Sequence, residues 1–330
     1  MNSKESELKV IRWGIIGCGD VTEIKSGPPY YKIKGFSLDA VMRRDEQKVK
    51  DYAKRHNVKK YYTNADDLIN DVDIDAVYIA TPPDTHKLYG LKVAAAGKPC
   101  CIEKPLAPSY NDGLQIVEAF KKSNTPLFVA YYRRTLPRFV QVKKWIDEGV
   151  IGEIRHVNWH LSKQASVIDQ SKKYNWRTDK LVAPGGYFDD LASHGIDLFT
   201  HYFGNIKNAY GISLNQQGLY TAKDAITACW VHNNGVTGSG SWNFGCNKNK
   251  DVTLIYGSKG TIKLSIFDNI PIILETALKN ESLMIEHPEN VQYFHVESMR
   301  DFFFSGKEHP SMGNSGLHTS WVMDKILGTI

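Results

Sequence analysis

Residues 10–20 read VIRWGIIGCGD, and this stretch decides how the chain begins to fold. Val10 to Ile16 form an apolar run that ends at a glycine, which predicts a buried parallel strand. A helix should open directly after Gly19. Glycines at such a turn let the backbone approach a pyrophosphate, which then lies on the helix N-terminus. We therefore expect a dinucleotide cofactor to contact the turn, through Gly17, Cys18, Gly19, Asp20 and Val21.

The helix after this turn departs from the usual dinucleotide-binding pattern. Thr22 stands where the pattern has its third glycine, and Gly27-Pro28-Pro29 should interrupt the helix within two turns. A Gly-x-Gly sequence after a strand is weak evidence by itself, so an ordinary strand-to-helix turn remains an alternative. The elements that follow favour the dinucleotide site.

Four more apolar runs follow the first, and helical patterns separate them. The predicted strands are Phe36–Met42, Asp75–Ala80, Pro99–Glu103 and Leu127–Ala130, and the predicted helices are Glu46–His56, Leu88–Ala96 and Tyr110–Lys122. Strands that alternate with helices imply a parallel sheet with both faces covered. We therefore predict an N-terminal Rossmann domain over residues 1–131.

The pattern changes after residue 150, where strand-like segments arrive close together. They are Ile154–Leu161, Ala209–Leu214, Ala225–His232, Val236–Trp242, Val252–Tyr256 and Thr261–Ser265. One long helix is expected from Tyr187 to Phe203. This half, residues 132–330, should form a C-terminal α/β domain with a large, mostly antiparallel open sheet, so that the whole chain is an α/β protein.

Composition and charge narrow the class of protein. The 330 residues are 42% hydrophobic, which is enough for two packed domains, and the formal net charge is only +5. The basic residues form no stripe, so we expect no nucleic-acid partner. Five cysteines in neither zinc-ligand nor disulfide spacing favour a reducing compartment. Met1 to Glu7 is too polar for a signal peptide, and no apolar run could span a membrane. We expect a cytoplasmic protein without a membrane partner.

The end of the second strand bears on the choice of cofactor. An NAD enzyme usually has an acidic residue here, which binds the ribose 2′-hydroxyl. This chain has Arg43 and Arg44 instead. A guanidinium suits a phosphate through forked, charge-assisted hydrogen bonds. The sequence therefore favours NADP, with NAD possible, and two solvated surface arginines are the alternative.

The third strand stops at Thr81, Pro82 and Pro83, and His86 follows shortly after. In an open α/β sheet the carboxyl ends of the strands line the ligand crevice. We expect this rigid loop, including His86, to lie against the cofactor. The alternative for His86 is a residue that merely begins a helix.

Lys104 follows the fourth strand directly, between Glu103 and a proline. The residue before a proline is held extended, so the lysine side chain should project at the top of the sheet, beside the cofactor. A lysine there can donate or accept a proton. A solvated lysine in a loop is the alternative.

Asp190 and His194 lie four positions apart, so they share one face of the predicted helix. In one interpretation His194 acts on a substrate oxygen and Asp190 orients the substrate. In a second, His194, Asp197 and His201 are metal ligands. We expect no metal, because no partner cluster elsewhere has ligand spacing. A purely structural helix face remains open.

In this order the motifs resemble those of the Gfo/Idh/MocA family of oxidoreductases, over nearly the whole chain. The segments that carry the resemblance are Gly17-Cys18-Gly19, Ala80 to His86, Glu103 to Leu106, Gly149 to Ile154, Trp176-Arg177, and Gly185-Gly186 followed by Asp190, His194 and Asp197. Each is modest alone, and together they are specific.

The resemblance implies roles for particular residues. Lys104, Asp190 and His194 correspond to the usual catalytic trio, Trp176 and Arg177 lie near the cofactor with Glu103, and the substrate contacts Arg133, Asp190, His194 and Tyr293. Arg43 resembles NADP-using members, among them those similar to 1,5-anhydro-D-fructose reductase. The open sheet of such proteins often pairs subunits, so a homodimer or homotetramer is expected.

The sequence thus predicts an NAD(P)-dependent oxidoreductase that transfers a hydride between nicotinamide and a carbon of a sugar or cyclic polyol. Lys104 and His194 would handle the proton of the substrate oxygen. Two other activities occur in such a family and stay open. One is a dinucleotide-dependent regulatory binding protein without catalysis, and the other is a glycosidase that uses tightly held NAD as a transient oxidant.

Overall fold

The computed structural model of the chain describes residues 10–330, which form two β-sheets and the helices that cover them. Met1 to Glu7, on which the prediction of no signal peptide rests, lies outside the described residues. None of the helices from residue 10 onward is long and apolar enough to cross a membrane.

The first sheet has six parallel strands in the order β3-β2-β1-β4-β5-β6. The strands are β1 (Ile11–Ile16), β2 (Phe36–Met42), β3 (Lys60–Tyr62), β4 (Ala76–Ile79), β5 (Cys100–Ile102) and β6 (Leu127–Val129). This arrangement confirms the predicted Rossmann sheet. Ligands of such sheets bind where the strand order reverses, which is here between β1 and β4.

Six helices connect these strands. They are α1 (Asp20–Glu23), α2 (Pro29–Lys32), α3 (Glu46–Arg55), α4 (Ala65–Ile69), α5 (His86–Ala95) and α6 (Tyr110–Ser123). The prolines interrupt the helix after β1 as the sequence predicts, which leaves α1 and α2 with four residues each. The side chains of Asp45, Asn64 and Ser109 accept hydrogen bonds from the first turns of α3, α4 and α6, which satisfies backbone donors that a helix leaves free.

The second sheet has eight strands in the order β14-β13-β12-β11-β7-β10-β9-β8, and only the β7–β10 pair is parallel. The strands are β7 (Ile154–Ser162), β8 (Ile206–Leu214), β9 (Ala225–His232), β10 (Thr237–Asn243), β11 (Lys250–Gly257), β12 (Gly260–Leu264), β13 (Ile272–Thr276) and β14 (Asn280–Leu283). The mostly antiparallel sheet is thus confirmed, and β13 and β14 extend it beyond the predicted strands.

Helices cover one face of this second sheet. The helices of this half are α7 (Pro137–Asp147), α8 (Val167–Gln170), α9 (Tyr187–Phe203), α10 (Tyr293–Ser305) and α11 (Gly313–Leu327). The bounds of α9 are those predicted. Gly195 allows α9 to approach β7 closely, because a Cβ at this position would lie 2.3 Å from the ring of Trp159. This contact sets the distance between the sheet and α9, and with it the position of the polar residues on α9.

The last two helices return to the first sheet, which the sequence pattern did not indicate. Val296 and Met299 of α10 belong to the same buried apolar cluster as Trp13 and Phe128. Helix α11 packs against α6, α9 and β8. The domain division between residues 131 and 132 stays a prediction, and the end of the chain contacts both sheets.

Candidate active site

A cleft runs along the edge of the first sheet where β1, β2, β4 and β5 end. It consists of two adjoining cavities, and the larger holds about 1080 Å³ of empty space up to its open mouth. Most residues predicted to bind the cofactor line them: Gly17, Cys18, Gly19, Asp20, Val21, Arg43, Arg44, Thr81, Pro82, Pro83, Glu103, Lys104, Trp176 and Arg177. Ala80 and Tyr89 also line the cleft and were not predicted.

The turn after β1 fits a dinucleotide on its backbone geometry. Gly17 has a φ of +91°, and a Cβ there would lie 2.5 Å from Thr81 Cγ2. At Gly19 a Cβ would meet nothing nearer than Arg43 Nη1 at 3.8 Å. The turn therefore packs against the loop after β4 on one side and leaves its backbone open to the cleft on the other, which is what a bound pyrophosphate requires.

Thr22 explains how the turn tolerates the missing third glycine. Its hydroxyl accepts a hydrogen bond from the Gly19 N–H at 2.9 Å and donates one to the Gly19 carbonyl at 2.8 Å. These two bonds close the turn at the start of α1 in place of the close packing that the third glycine of the usual pattern provides.

Arg43 and Arg44 line the smaller cavity, at the end of β2. Arg43 Nη1 donates to the Cys18 carbonyl oxygen at 3.2 Å, and no carboxylate among the described residues forms an ion pair with either arginine. The nearby Asp45 carboxylate instead accepts from the Lys48 backbone N–H at 3.0 Å and caps α3. The positive charge of Arg43 and Arg44 is therefore not neutralised by a carboxylate of residues 10–330 at this end of the cleft.

Glu103 forms the floor of the larger cavity. One of its carboxylate oxygens accepts from Tyr78 Oη and from Gln292 Nε2, both at 2.6 Å. Because Tyr78 belongs to β4 and Gln292 precedes α10, the carboxylate connects three separate parts of the chain below Lys104. Glu103 thus positions the strand end, in addition to bordering the cavity.

Lys104 and Asp190 meet across the cleft. Lys104 Nζ donates to the Asp190 carbonyl oxygen at 2.9 Å and also to its carboxylate. Arg177 Nε donates to the other carboxylate oxygen at 2.6 Å, and its guanidinium lies 4.3 Å from the Trp176 ring centroid. Burial alone would raise the pKa of Asp190, but the charges of Lys104 and Arg177 lower that pKa well below its usual range. Asp190 is therefore an anion that holds both cations in place.

His194 lies one turn further along α9, on the same face. It is 4% exposed, and its Nδ1 is enclosed with no hydrogen-bond partner among the described residues. Burial, together with the charges of Arg133 and Lys104, lowers the pKa of His194 well below its usual value. The imidazole is therefore neutral near pH 7 and can donate one hydrogen bond and accept one.

Arg133 packs beside His194 in an aromatic setting. Its guanidinium lies 5.1 Å from the Tyr132 ring centroid and 4.6 Å from that of Phe267. The same two rings flank His194, at 5.4 Å and 6.0 Å between centroids. Arg133 Nε donates to the Ile266 carbonyl at 3.0 Å. The predicted substrate-binding residues Arg133, Asp190 and His194 therefore lie in one region.

The turn that carries Phe267 borders His194, and sequence reasoning missed it. The buried carboxylate of Asp251 accepts from Trp159 Nε1 at 2.8 Å, from Ser265 Oγ at 2.5 Å and from the Phe267 N–H at 2.6 Å. Asp251 thereby holds the ring of Phe267 against His194. No local motif marks Asp251, because its partners lie in two other segments, strand β7 and the turn after β12.

Two predicted site residues line neither cavity, and their roles in binding stay predictions. His86 is fully buried, with Nε2 2.8 Å from the Thr81 carbonyl and Nδ1 3.0 Å from the Pro105 carbonyl. It supports the loops after β4 and β5 from behind and begins α5, in agreement with the alternative that the sequence left open. Tyr293 begins α10 and packs against the core of the first sheet, so it does not line either cavity.

The alternative metal site on α9 is not assembled. Asp197 forms a buried ion pair with Arg134 at 2.7 Å, which occupies its carboxylate. Within residues 10–330, no three His, Cys, Asp or Glu side chains are grouped so that they could hold a metal ion.

Comparison with known proteins identifies the family. Residues 11–131 match the model of an oxidoreductase family with an NAD-binding Rossmann fold, and residues 139–263 match the GFO/IDH/MocA C-terminal domain. Oxidoreductase P35 of Formosa agariphila is 38% identical over 321 residues, which cover 97% of this chain and 99% of that protein. The chain belongs to the Gfo/Idh/MocA oxidoreductase family. The resemblance inferred from the motifs is thereby confirmed.

Other proteins share parts of the sequence or the whole fold. A levoglucosan dehydrogenase of Pseudarthrobacter phenanthrenivorans is 30% identical over 164 residues, which are 50% of this chain and 38% of that protein. A solved levoglucosan dehydrogenase, in complex with NADH and levoglucosan, has a TM-score of 0.85 at 21% identity, covering 97% of this chain and 96% of that one. A putative NADPH-dependent oxidoreductase from Desulfitobacterium hafniense has a TM-score of 0.86 at 20% identity, covering 97% and 95%. At such identities the structures establish the common fold.

Proposed function

We propose that this protein is an NAD(P)-dependent dehydrogenase or reductase of a sugar or cyclic polyol. The observation that carries the proposal is the meeting of Lys104 with Asp190, one helical turn from a neutral His194, at the edge of a cleft whose other walls fit a dinucleotide. The levoglucosan and inositol dehydrogenases among its relatives support a hydroxylated substrate.

The proposed reaction interconverts an alcohol and a carbonyl. Oxidation removes a hydride from the carbon and a proton from the oxygen, and reduction adds both. A dinucleotide held at Gly17 and Gly19 would supply or accept the hydride through its nicotinamide. Lys104 exchanges the proton with the substrate oxygen, and His194 shares this role as a hydrogen-bond partner. Asp190 holds Lys104 and Arg177 in position, so that the lysine is oriented before the substrate arrives.

We further propose that NADP is the preferred cofactor. Arg43 and Arg44 border the smaller cavity without a carboxylate partner among the described residues, and Asp45 caps a helix instead of facing the ribose. One charge-assisted hydrogen bond to a 2′-phosphate contributes about 1.5–3 kcal/mol, which is roughly a 10- to 150-fold preference. NAD binding remains compatible with the turn after β1.

The function is tested by replacing Lys104. The Lys104→Ala variant should lower kcat/KM by about 10² to 10⁴, because a general acid–base group contributes on that order. Turnover is followed by the absorbance of the reduced nicotinamide across a panel of sugars and polyols. The control is Lys92→Ala, which removes a surface lysine paired with Asp66. Near-normal turnover of Lys104→Ala would refute the assignment.

Thermal shifts with NADH and NADPH should show that Lys104→Ala still binds cofactor, with the larger shift for NADPH.

The turnover assay separates this function from the open alternatives. A regulatory protein would bind cofactor and sugar without any turnover in the wild type. A glycosidase would release a hydrolysed sugar with no net change in the absorbance of reduced nicotinamide.

A further inference from the structure

A third cavity lies beside the cleft, at the carboxyl ends of β7 and β10. We call it the side pocket and define it by Lys163, Gln164, Ser166, Tyr187, Leu191 and Phe244. It holds about 430 Å³ of empty space. None of its lining residues has a role in the chemistry proposed above, so its presence needs a separate explanation.

The side pocket is continuous with the catalytic face of α9. Tyr187 and Leu191 belong to the pocket, and Asp190 and His194 belong to the catalytic group. Residues three, four and seven positions apart share one face of a helix, so all four side chains point to the same side of α9. Asp190 also borders the larger cavity of the cleft and is followed directly by Leu191. The cleft and the side pocket therefore border neighbouring positions of the same helix.

Aromatic rings form a rigid wall of the side pocket. The ring centroids of Tyr187 and Phe244 lie 5.5 Å apart. The hydroxyl of Tyr187 is fixed by the Asp169 carboxylate at 2.9 Å and by Asn175 Nδ2 at 2.9 Å. Phe244 is 2% exposed, and its backbone N–H donates to the Asp224 carbonyl at 2.9 Å. Because the buried Phe244 ring supports Tyr187 from behind, Tyr187 and its neighbour Leu191 present a preformed apolar surface.

A few polar groups stand at the rim of this apolar surface. The Lys163 ammonium and the Gln164 carbonyl oxygen make no hydrogen bond to any residue that the structure describes, whereas Gln164 Nε2 donates to the Asn247 carbonyl at 2.9 Å. The Ser166 hydroxyl accepts from the Asp169 N–H at 3.1 Å. Apolar walls with a small number of oriented polar groups are typical of a pocket for a small ring-shaped ligand.

We propose that the substrate is a glycoside, and that the side pocket binds the ring attached to the reacting sugar. This inference rests on the proposed function, because it assumes that the first sugar reacts beside Lys104. The attached ring lays its apolar face on Tyr187 and Leu191, while Lys163, Gln164 and Ser166 meet its polar edge. A second pyranose and an aromatic aglycone share this chemistry.

The test compares matched substrates in the full-length protein. Kinetics are measured with NADP and NAD for four sugars, which are glucose, galactose, mannose and xylose. Each sugar is supplied as its methyl glycoside, as its phenyl glycoside and as a disaccharide in which it is linked to glucose. For the accepted sugar, kcat/KM of the phenyl glycoside or of the disaccharide should exceed that of the methyl glycoside by on the order of tenfold, since an apolar ring face leaves water. A preference for the disaccharide identifies a sugar in the pocket, and a preference for the phenyl glycoside identifies an aromatic aglycone.

Filling the pocket provides the decisive variant. Leu191→Trp should bring the ratio of the two kcat/KM values down to about one, and the ratio cancels any general effect on catalysis. Phe244→Leu, which removes a wall, is the second variant in case the first does not fold. The matched control is Leu278→Trp, at a side chain that is 99% exposed in the turn between β13 and β14. It should keep the wild-type ratio.

The outcomes separate the two proposals. A ratio near one in the wild type, with clear turnover of the methyl glycoside, overturns the glycoside inference and leaves the proposed function standing. An unchanged high ratio in both pocket variants also overturns it. Absence of turnover with every sugar and both cofactors overturns the proposed function, and the glycoside inference with it.

Discussion

Two adjacent aspartates show how much a single position depends on what its side chain faces. Asp190 lies between two cations, and its pKa is lowered. The Asp189 carboxylate accepts one hydrogen bond from the described residues, from the Gly185 N–H at 2.8 Å. Burial, helped by the nearby charges of Asp324 and Asp190, raises the pKa of Asp189 to about 7. The pKa values of identical side chains on consecutive residues are therefore shifted in opposite directions. The sequence singles out Asp190 alone.

Asp189 should make stability depend on pH. Its pKa is about 7 in the folded protein and about 4 when unfolded, so the folded state binds more protons between these values. The stabilisation is complete below about pH 4 and is lost as pH rises to about 7, by up to roughly 1.4 kcal/mol per unit. Asp189→Asn should remove this slope, because an amide does not ionise, while its oxygen still accepts from the Gly185 N–H. Urea unfolding at several pH values measures it. The same slope in Asp189→Asn and in the exposed control Asp67→Asn would contradict the expectation.

At the scale of elements, the Arg134–Asp197 ion pair connects segments that are far apart in sequence. Arg134 donates from Nε and Nη2 to the two Asp197 carboxylate oxygens, both at 2.7 Å, and from Nη1 to the Pro310 carbonyl at 2.7 Å. Thr319 of α11 donates to the same carboxylate at 3.2 Å. The short 3₁₀ segment after β6, helix α9 and helix α11 are thus held together at a buried charge pair.

Removing one member of this ion pair should lower the free energy of unfolding more than removing both members. Arg134→Met leaves the Asp197 carboxylate buried without its partner, which typically destabilises a protein by about 3–5 kcal/mol. The double variant Arg134→Met/Asp197→Leu removes both charges and should recover much of that loss. The free energy of unfolding in urea provides the measurement. A double variant no more stable than Arg134→Met would show that the charges are not the source of the effect.

At the scale of the whole molecule, the outer face of the eight-stranded sheet lacks a covering layer in the described structure. Its exposed side chains include Tyr210 and Ile212, each 68% exposed, and Cys229. The opposite face is closed by α9 and α11, since a Cβ at Gly211 would lie 2.3 Å from the Ile326 carbonyl. An extended face with exposed apolar residues is typical of an interface between subunits. We propose that it mediates the homo-oligomer expected from the sequence.

Charges placed on this face should separate the subunits. The double variant Tyr210→Glu/Ile212→Glu puts two like charges on neighbouring positions of one patch, and a two-fold interface doubles their number. Sedimentation velocity should show a dimer or tetramer for the wild type and a monomer for the variant. Val72→Glu, at a side chain that is 87% exposed elsewhere, is the control. A wild-type monomer at micromolar concentration would end this proposal.

The sequence pattern predicted the parts of the fold that depend on local periodicity. Strand β2 and helix α9 have the predicted bounds, because each is a continuous apolar or amphipathic segment with a clear end. The pattern did not predict strands that are short or polar. Strand β3 has three residues, and β14 reads NESL, which carries no apolar alternation. Their pairing depends on neighbouring strands and not on their own residues.

The sequence by itself determined the Rossmann start, the family and the shared face of Asp190 and His194, since each depends on residues a few positions apart. The tertiary structure decided which groups meet. Lys104 and Asp190 are separated by 86 positions, His86 supports two loops from behind, and Asp251 holds Phe267 against His194. Such contacts arise from how whole helices and sheets pack, because the position of each side chain is set by every element beneath it.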